Sequence, residues 1–181
     1  MAIQQFPAAS GGPSGGETVW TVVSNGTFNN TFSTLTFSGL SGYKVYNLVV
    51  NRLSFSAVNR TPAFRINGVT SGDYTFATMG YNNNVFETSF YDNADSYRPL
   101  NGNPGSLFYC SLMFNDADLT GQKTITGYAV GRDTGANRFT YPYQLGNNPL
   151  SNTSPITSIT MFERDAGTNF NGGSYTLYGG N

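Results

Sequence analysis

The segment FNDADLTG, residues 114–121, is the first candidate for metal chemistry, because oxygen-bearing side chains alternate along it. Asn115, Asp116 and Asp118 offer the amide and carboxylate oxygens that Ca²⁺ prefers. The segment lacks the further ligands and the distal glutamate of an EF-hand loop. Asn and Asp side chains also cap tight turns. The pattern therefore favours a capped turn, and the sequence leaves open whether these residues bind an ion.

Acid–base and nucleophilic chemistry have few candidates in this chain. There are ten Asp and Glu residues but no histidine, the residue that most often serves as a general base. Glu163, Arg164 and Asp165 stand together in FERDAG and predict a solvated turn, not a glycosidase carboxylate pair. The lone cysteine, Cys110, lies in the apolar run SLFYCSLMF, which predicts a buried, unreactive thiol and excludes an internal disulfide. We therefore expect no enzyme activity, no cofactor and no metal.

The surface must be neutral and rich in hydroxyl and amide groups. Charged residues make up only 10% of the chain and the net charge is −1, whereas about 25% charged residues is typical. Such a surface gives little attraction to phosphates or anionic lipid, so nucleic-acid and membrane binding are not expected. Weak self-repulsion instead favours packing against neighbouring proteins.

The elements that must position these residues are β-strands. Runs rich in β-branched and aromatic residues alternate with turn sequences such as SNGTFNN, SGLSG and NGNPG. Roughly ten short strands with no sustained helical period predict an all-β, antiparallel, two-sheet β-sandwich of jelly-roll type. We expect long irregular loops at 80–106 and 131–153.

The first sixteen residues, MAIQQFPAASGGPSGG, differ from the rest in composition. They predict an extended Gly/Ser/Pro-rich N-terminal arm at 1–16, followed by one β-sandwich domain at 17–181. Ile3 and Phe6 are its apolar anchors. The arm could pack on its own domain or on a neighbouring subunit, and we favour the neighbour slightly. It lacks the features of a signal peptide, so synthesis in the cytoplasm is expected.

Five tyrosines fall in the regions where irregular loops are expected. Three interpretations stay open: loops folded onto the sheet, a contact surface for another subunit, or a platform that stacks on sugars. With the two anchors of the arm, these tyrosines form the predicted partner-binding set: Ile3, Phe6, Tyr81, Tyr91, Tyr97, Tyr141 and Tyr143.

The end of the chain carries the most specific pattern. A strand ITSI, from Ile156 to Ile159, precedes a Gly/Asn loop and the terminal run GSYTLYG, from Gly173 to Gly179. This arrangement resembles the closing motif I-T-S-I … G-x-Y-x-L-Y-G of a group of tailed-bacteriophage virion proteins. Weaker likenesses lie in GYKVYNLVVNRLSFS, AFRINGVTSGDYTF and KTITGYAVG. Strand alternation predicts Tyr175 and Leu177 on one side of the last strand.

The resemblance implies a non-enzymatic virion part with a β-sandwich fold. Proteins of this group serve as capsid decoration, head-fibre, minor tail or tail-fibre components. We expect a decoration or cement protein that bridges neighbouring shell subunits, with the major capsid protein and copies of itself, in a trimer, as partners. The alternative is a tail-fibre or tail-tip domain that binds host surface glycans. A depolymerase is disfavoured by the missing histidine.

Overall fold

The computed structural model describes most of the chain after the predicted arm. Residues 1–18, with Ile3 and Phe6, lie outside the described part. For residues 82, 132 and 138–147 the backbone alone is described. The described ranges are 19–57, 60–70, 72, 74–82, 85–99, 107–132, 138–147, 153–164 and 167–181.

Eleven strands make up the described structure, close to the number that the sequence predicted, and the described ranges contain no helix. The strands are β1 (Thr21–Thr27), β2 (Thr34–Ser38), β3 (Val45–Phe55), β4 (Pro62–Ile66), β5 (Tyr74–Asn82), β6 (Val85–Ala94), β7 (Leu107–Phe114), β8 (Thr124–Arg132), β9 (Arg138–Asn147), β10 (Ser158–Glu163) and β11 (Phe170–Gly180).

The strands form two sheets of unequal size. The large sheet has eight strands in the order β1-β11-β3-β7-β8-β9-β5-β6, and the small sheet has three in the order β2-β10-β4. Every pairing between these strands is antiparallel. The prediction of an all-β antiparallel fold with two sheets is therefore confirmed, and the arrangement is sandwich-like.

One apolar core joins the two sheets. In β7 the buried side chains alternate with partly exposed ones, so that Phe108 and Leu112 point inward while Tyr109 and Ser111 do not. From the small sheet, Ile159 and Met161 enter the same cluster. Cys110 belongs to it as a buried free thiol, and burial raises its pKa, as expected for an unreactive cysteine.

The closing strand β11 lies inside the large sheet, between β1 and β3. Leu177 is fully buried, and burial of such a side chain contributes about 1.5–3 kcal/mol. Tyr175 packs on the same side, with its ring 5.3 Å from that of Phe28 and 5.6 Å from that of Phe37. The predicted facing of Tyr175 and Leu177 is confirmed.

Two local predictions are wrong. The expectation of long irregular loops at 80–106 and 131–153 is wrong where β6 and β9 lie. There the strand-forming runs VFETSFY and RFTYPYQ pair residue by residue with β5 and β8, so the strand pattern of the sequence is confirmed. Glu163 was placed in a solvated turn, but its side chain is buried and lies 3.9 Å from Arg60. The reason is alternation: Ile159, Met161 and Glu163 occupy every second position of β10 and face the core together.

Candidate functional site: the two ends of the large sheet

The large sheet turns one face away from the small sheet, and we call this its outer face. Residues directly opposite each other in an antiparallel pair lie on the same face. The pairing therefore traces one row of outer-face positions across the sheet, in which no residue is charged. In strand order the row is Val22, Tyr178, Asn47, Met113, Thr126, Leu145, Ala77 and Phe90.

Among the side chains that the structure describes, the hairpin of β5 and β6 carries the most exposed aromatic rings of this face. Phe90 is 80% exposed, Phe86 57% and Tyr81 52%. Tyr81 lies opposite Phe86, and their rings meet edge to face with centroids 5.5 Å apart. Together with Met79, these three residues form what we call the hairpin patch. Large exposed apolar patches on soluble proteins commonly mark interaction sites.

The inner side of the same hairpin anchors it to the core. Phe76 of β5 stacks on Tyr91 of β6 with ring centroids 4.5 Å apart. Phe76 also meets Tyr97 edge to face at 5.3 Å, and Tyr97 exchanges two backbone hydrogen bonds with Phe64 of β4. The hairpin patch is therefore presented by strands whose other side is packed.

A charged cluster fixes the end of β6 to the small sheet. Asp95 forms salt bridges with Arg65 of β4 at 3.3 Å and with Arg98 at 3.0 Å. Partial burial would raise the pKa of Asp95, but hydrogen bonds from Ser96 and Arg98 and the charges of Arg98 and Arg65 outweigh it, so that its pKa lies below the ordinary value. The Arg65 guanidinium also lies over the Phe162 ring, 4.2 Å from the centroid.

At the opposite end of the sheet, β1 exposes a second group of apolar side chains. Val19, Trp20, Val22 and Val23 are all exposed, and we call them the β1 edge surface. The pairing of β1 with β11 shifts register between Val22 and Ser24, so these side chains do not keep to one face. A cleft of about 310 Å³ between β1 and β2 adjoins this surface, and its lining carries no charged residue.

The structure separates the tyrosines that the sequence grouped as one binding set. Tyr81 is exposed, Tyr91 is half-buried against Phe76, and Tyr97 has no exposed area. Burial raises the pKa of Tyr97 well above its ordinary value, with the nearby Cys110 adding to the shift. The loop-packing interpretation therefore describes Tyr97, because a fully buried ring offers no contact area.

The other two tyrosines lie in β9, where the backbone alone is described. Tyr143 pairs with Met79 and Tyr141 pairs with Ala129. The binding set predicted from the sequence does not contain Phe86 and Phe90, although both are exposed. A signal for their exposure is present in the sequence. In VFETSFY, the residues of both strand faces include aromatic or apolar side chains, so a strand with one packed face exposes some of them.

The three residues considered for Ca²⁺ form part of a turn. Asp116 adopts a left-handed backbone with φ of 55°, and the Asn115 amide donates to the carbonyl of Thr124 at 3.3 Å. The buried Lys123 ammonium closes the loop by donating to the carbonyls of Leu119 and Gly121. Burial lowers the pKa of Lys123, although Asp116 and Asp118 oppose the shift.

Within the described ranges, no group of three or more His, Cys, Asp or Glu side chains is placed to hold a metal ion. The part of the chain that the structure describes also has no helix of the length and apolarity that a membrane crossing requires. No protein-family model matches the chain, and no curated protein matches its sequence. What the geometry offers is thus two apolar contact surfaces on a neutral β framework.

Proposed function

We propose that this chain is a non-enzymatic structural protein of a phage virion, a decoration or cement protein that bridges neighbouring subunits of the head shell. The observation that carries the proposal is the pair of apolar surfaces at the two ends of one sheet. A bridging protein needs two separate contact surfaces held at a fixed distance. With seven strand spacings between β1 and β6, the ends are about 34 Å apart.

The neutral surface and the closing motif support this function further. A net charge of −1 lets many copies crowd on one particle with little repulsion. Each contact stabilises the assembly by about 25 cal/mol of free energy per Å² of apolar surface that it buries. Because the contact is repeated over the shell, a modest gain per copy becomes large for the particle. The motif from Ile156 to Gly179 resembles the ending of virion proteins. The proposed partners are the major capsid protein and further copies of this chain.

In this proposal the β1 edge surface contacts the shell, because β1 is the first described strand and begins at Thr21, shortly after the predicted arm at 1–16. The arm, with Ile3 and Phe6, would extend that contact across a neighbouring subunit. The jelly-roll topology expected from the sequence and the trimer also belong to the proposal. The protein would be made in the host cytoplasm and reside in the virion.

Direct imaging of assembled virions tests the proposal. The expected result is density for the chain spread regularly over the head, with the β1 edge against the shell. In a second assay, purified protein is added to undecorated heads and bound protein is counted. Trp20→Ser should weaken binding, whereas Thr88→Ser, an exposed substitution on β6, should not affect it. Density confined to the tail, or no effect of Trp20→Ser, would count against the decoration function.

One observation favours the alternative, a tail domain that binds host glycans. Tyr81 and Tyr128 are both exposed, by 52% and 49%, and exposed aromatic rings stack on sugar faces. A glycan array distinguishes the two functions. Binding that disappears in Tyr81→Ala and persists in Asn25→Ala, on the far edge of the sheet, would support the tail function. No glycan signal from the intact chain would leave only the structural function.

A further inference from the structure

Strand β2 is an edge of the small sheet: in the described structure it pairs with β10 on one side only. The Glu163 amide donates to the Ser33 carbonyl at 3.0 Å. In an antiparallel ladder every second residue bonds to the same neighbour, so Thr34, Thr36 and Ser38 direct their peptide groups away from β10. Within the described ranges, no backbone hydrogen bond occupies these groups. The β2 edge is therefore open to a further strand.

An apolar cleft lies along this edge. It is the cleft of about 310 Å³ between β1 and β2, and its apolar wall includes Leu35, Phe37 and Tyr175. Val23 and Ser24 of β1 form the opposite wall. The described lining carries no charged residue, so a charged side chain would lose its hydration there without gaining a partner. Ligand sites range from about 300 to 1,000 Å³, and a cleft at the small end of that range suits one bulky apolar side chain.

We propose that this cleft receives the N-terminal arm of a neighbouring copy of the chain, with Phe6 in the cleft and residues 2–6 added beside β2 as a further strand. The arm matches the edge in length. Residues 2–6 are five residues that end at Pro7, which cannot donate a ladder hydrogen bond, and β2 also has five residues. A residue before a proline favours an extended backbone, so Phe6 is suited to the end of the added strand.

Alternation divides the two apolar anchors of the arm between the faces of the added strand. Ile3 and Phe6 are three positions apart, so in an extended strand they point to opposite sides. Phe6 enters the cleft beside Phe37 and Tyr175, whose ring centroids lie 5.6 Å apart, and Ile3 faces outward. Aromatic rings in contact gain stability beyond the burial of their area. The other side chains of the added strand are Ala and Gln, which bring no charge to the neutral lining.

The arm is long enough to reach another copy. Twelve residues, 7–18, connect Phe6 to Val19, and at about 3.3 Å per residue they span up to about 40 Å. Each copy would donate one arm and offer one cleft, and such a head-to-tail contact closes into a ring, as in the proposed trimer. The inference rests on the proposed function in one respect, since it names further copies of the chain as the partner that holds the arm.

Cross-linking between two single-cysteine variants tests the contact. Gln5→Cys and Thr36→Cys are prepared separately, mixed and treated with a short bis-maleimide linker. Both positions would lie on the outward side of the two paired strands. The native Cys110 is buried and should not react. We expect a covalent dimer from this mixture and little from Gln5→Cys mixed with Thr88→Cys, an exposed position on β6. Equal yields from the two mixtures would overturn the proposal.

The double variant Gln5→Cys/Thr36→Cys distinguishes the arm of a neighbour from the arm of the same chain. With the arm exchanged between copies, the linker should produce covalent dimers and larger oligomers. An internally cross-linked monomer as the main product, identified by its mass, would show that each arm occupies its own cleft. That result would contradict the exchange between copies.

Sedimentation across a concentration series measures the contribution of Phe6. The wild-type chain should associate as its concentration rises, and Phe6→Ala should weaken the association by about tenfold or more, because each contact loses a buried aromatic ring. Gln5→Ala, whose side chain would point to solvent, is the matched control and should associate like the wild type. A monomer at every concentration, or equal association of Phe6→Ala and wild type, would contradict the arm contact. Either result leaves the decoration function to be decided by virion imaging.

Discussion

The two ends of the large sheet differ in backbone regularity although both expose apolar side chains. At β6, the regular stretch from Val85 to Tyr91 keeps its exposed rings on one face and packs Tyr91 on the other. At β1, a register shift between Val22 and Ser24 interrupts the ladder with β11. Three valines and Trp20 are exposed there without keeping to one face.

This difference indicates two kinds of contact. A bulge twists an edge and interrupts its ladder, which protects the edge against pairing with another strand. The β1 edge is therefore suited to side-chain contacts with a surface of a different shape, such as a shell subunit. The β6 end instead presents its exposed rings on one regular face.

Removing residues 174–181 should prevent folding altogether. The deletion takes most of β11, the strand that attaches β1 to β3 and brings Leu177 into the core. Both the β1 edge and the middle of the sheet lose their pairing partner. We expect a product without a cooperative thermal transition by circular dichroism. Removal of Asn181 alone, which lies beyond β11 and is exposed, is the control and should melt normally. A truncated chain that melts cooperatively would contradict this account of β11.

Substitutions on the two faces of the hairpin should differ strongly in effect. Phe76→Ala removes a buried ring that contacts both Tyr91 and Tyr97, and we expect a loss of about 3–5 kcal/mol in the free energy of unfolding. Phe90→Ala removes a ring that is 80% exposed and should change stability by at most about 0.5 kcal/mol. Urea unfolding measures both losses in the free energy of unfolding. Similar losses would show that Phe90 supports the fold of the monomer.

Two glycines with nearly the same backbone test how closely β11 approaches β3. Gly173 has φ of 105° and Gly167 has φ of 104°. A Cβ at Gly173 would meet the Arg52 carbonyl oxygen at 2.5 Å, whereas at Gly167 it would meet nothing within 4 Å. Gly167→Ala should cost about 1 kcal/mol from backbone strain alone. Gly173→Ala should cost about 2–4 kcal/mol, because the clash adds to the strain. The Gly173 carbonyl also accepts a hydrogen bond from the backbone amide of Phe28, the residue after β1. The Gly173→Ala substitution should therefore also loosen the end of β1.

The smallest expected effect concerns the anchor of β6. Because the pKa of Asp95 is lowered in the folded state, its ionised form stabilises the fold above its unfolded pKa of about 3.9, and the gain disappears as pH falls through the lower folded value. Asp95→Asn should cost at most about 1 kcal/mol near neutral pH, since the carboxylate is half exposed. Thermal melts from neutral to strongly acidic pH should show the variant and wild type converging. A gap that widens in acid would reverse the sign of this linkage.

Much of the fold was predictable because strand formation depends on local pattern. In TLTFS, apolar Leu35 and Phe37 alternate with hydroxyl residues, a pattern that predicts a half-buried strand; Phe37 belongs to the core and Leu35 packs against it. The same rule gave the faces of Tyr175 and Leu177. Alternation also places Glu163 on the inner side if the strand ITSITMF is extended by one residue. The charged run ERD, however, is more typical of a turn than of a buried strand end, so the sequence favoured a solvated position for this carboxylate.

The exposure of the residues proposed for binding was only partly predictable. Of the five tyrosines, Tyr81 lies in the hairpin patch, while Tyr97 belongs to the core. Phe86 and Phe108 look alike in sequence, since each stands in a strand beside further aromatic residues. Phe108 is in β7, near the middle of the large sheet, and faces inward. Phe86 is in β6, at the end of that sheet, and faces outward.

The sequence by itself determined that this protein is β-rich, neutral and without histidine, and it determined which side chains share a face of each strand. Only the tertiary structure decided which strand became an edge and which face met the small sheet. The physical reason is range: alternation acts between residues two apart in the chain, whereas the place of β5 and β6 in the sheet depends on the pairing of β5 with β9, whose partner residues lie 57 (Asn82 and Phe139) to 72 (Thr75 and Asn147) positions further along the chain.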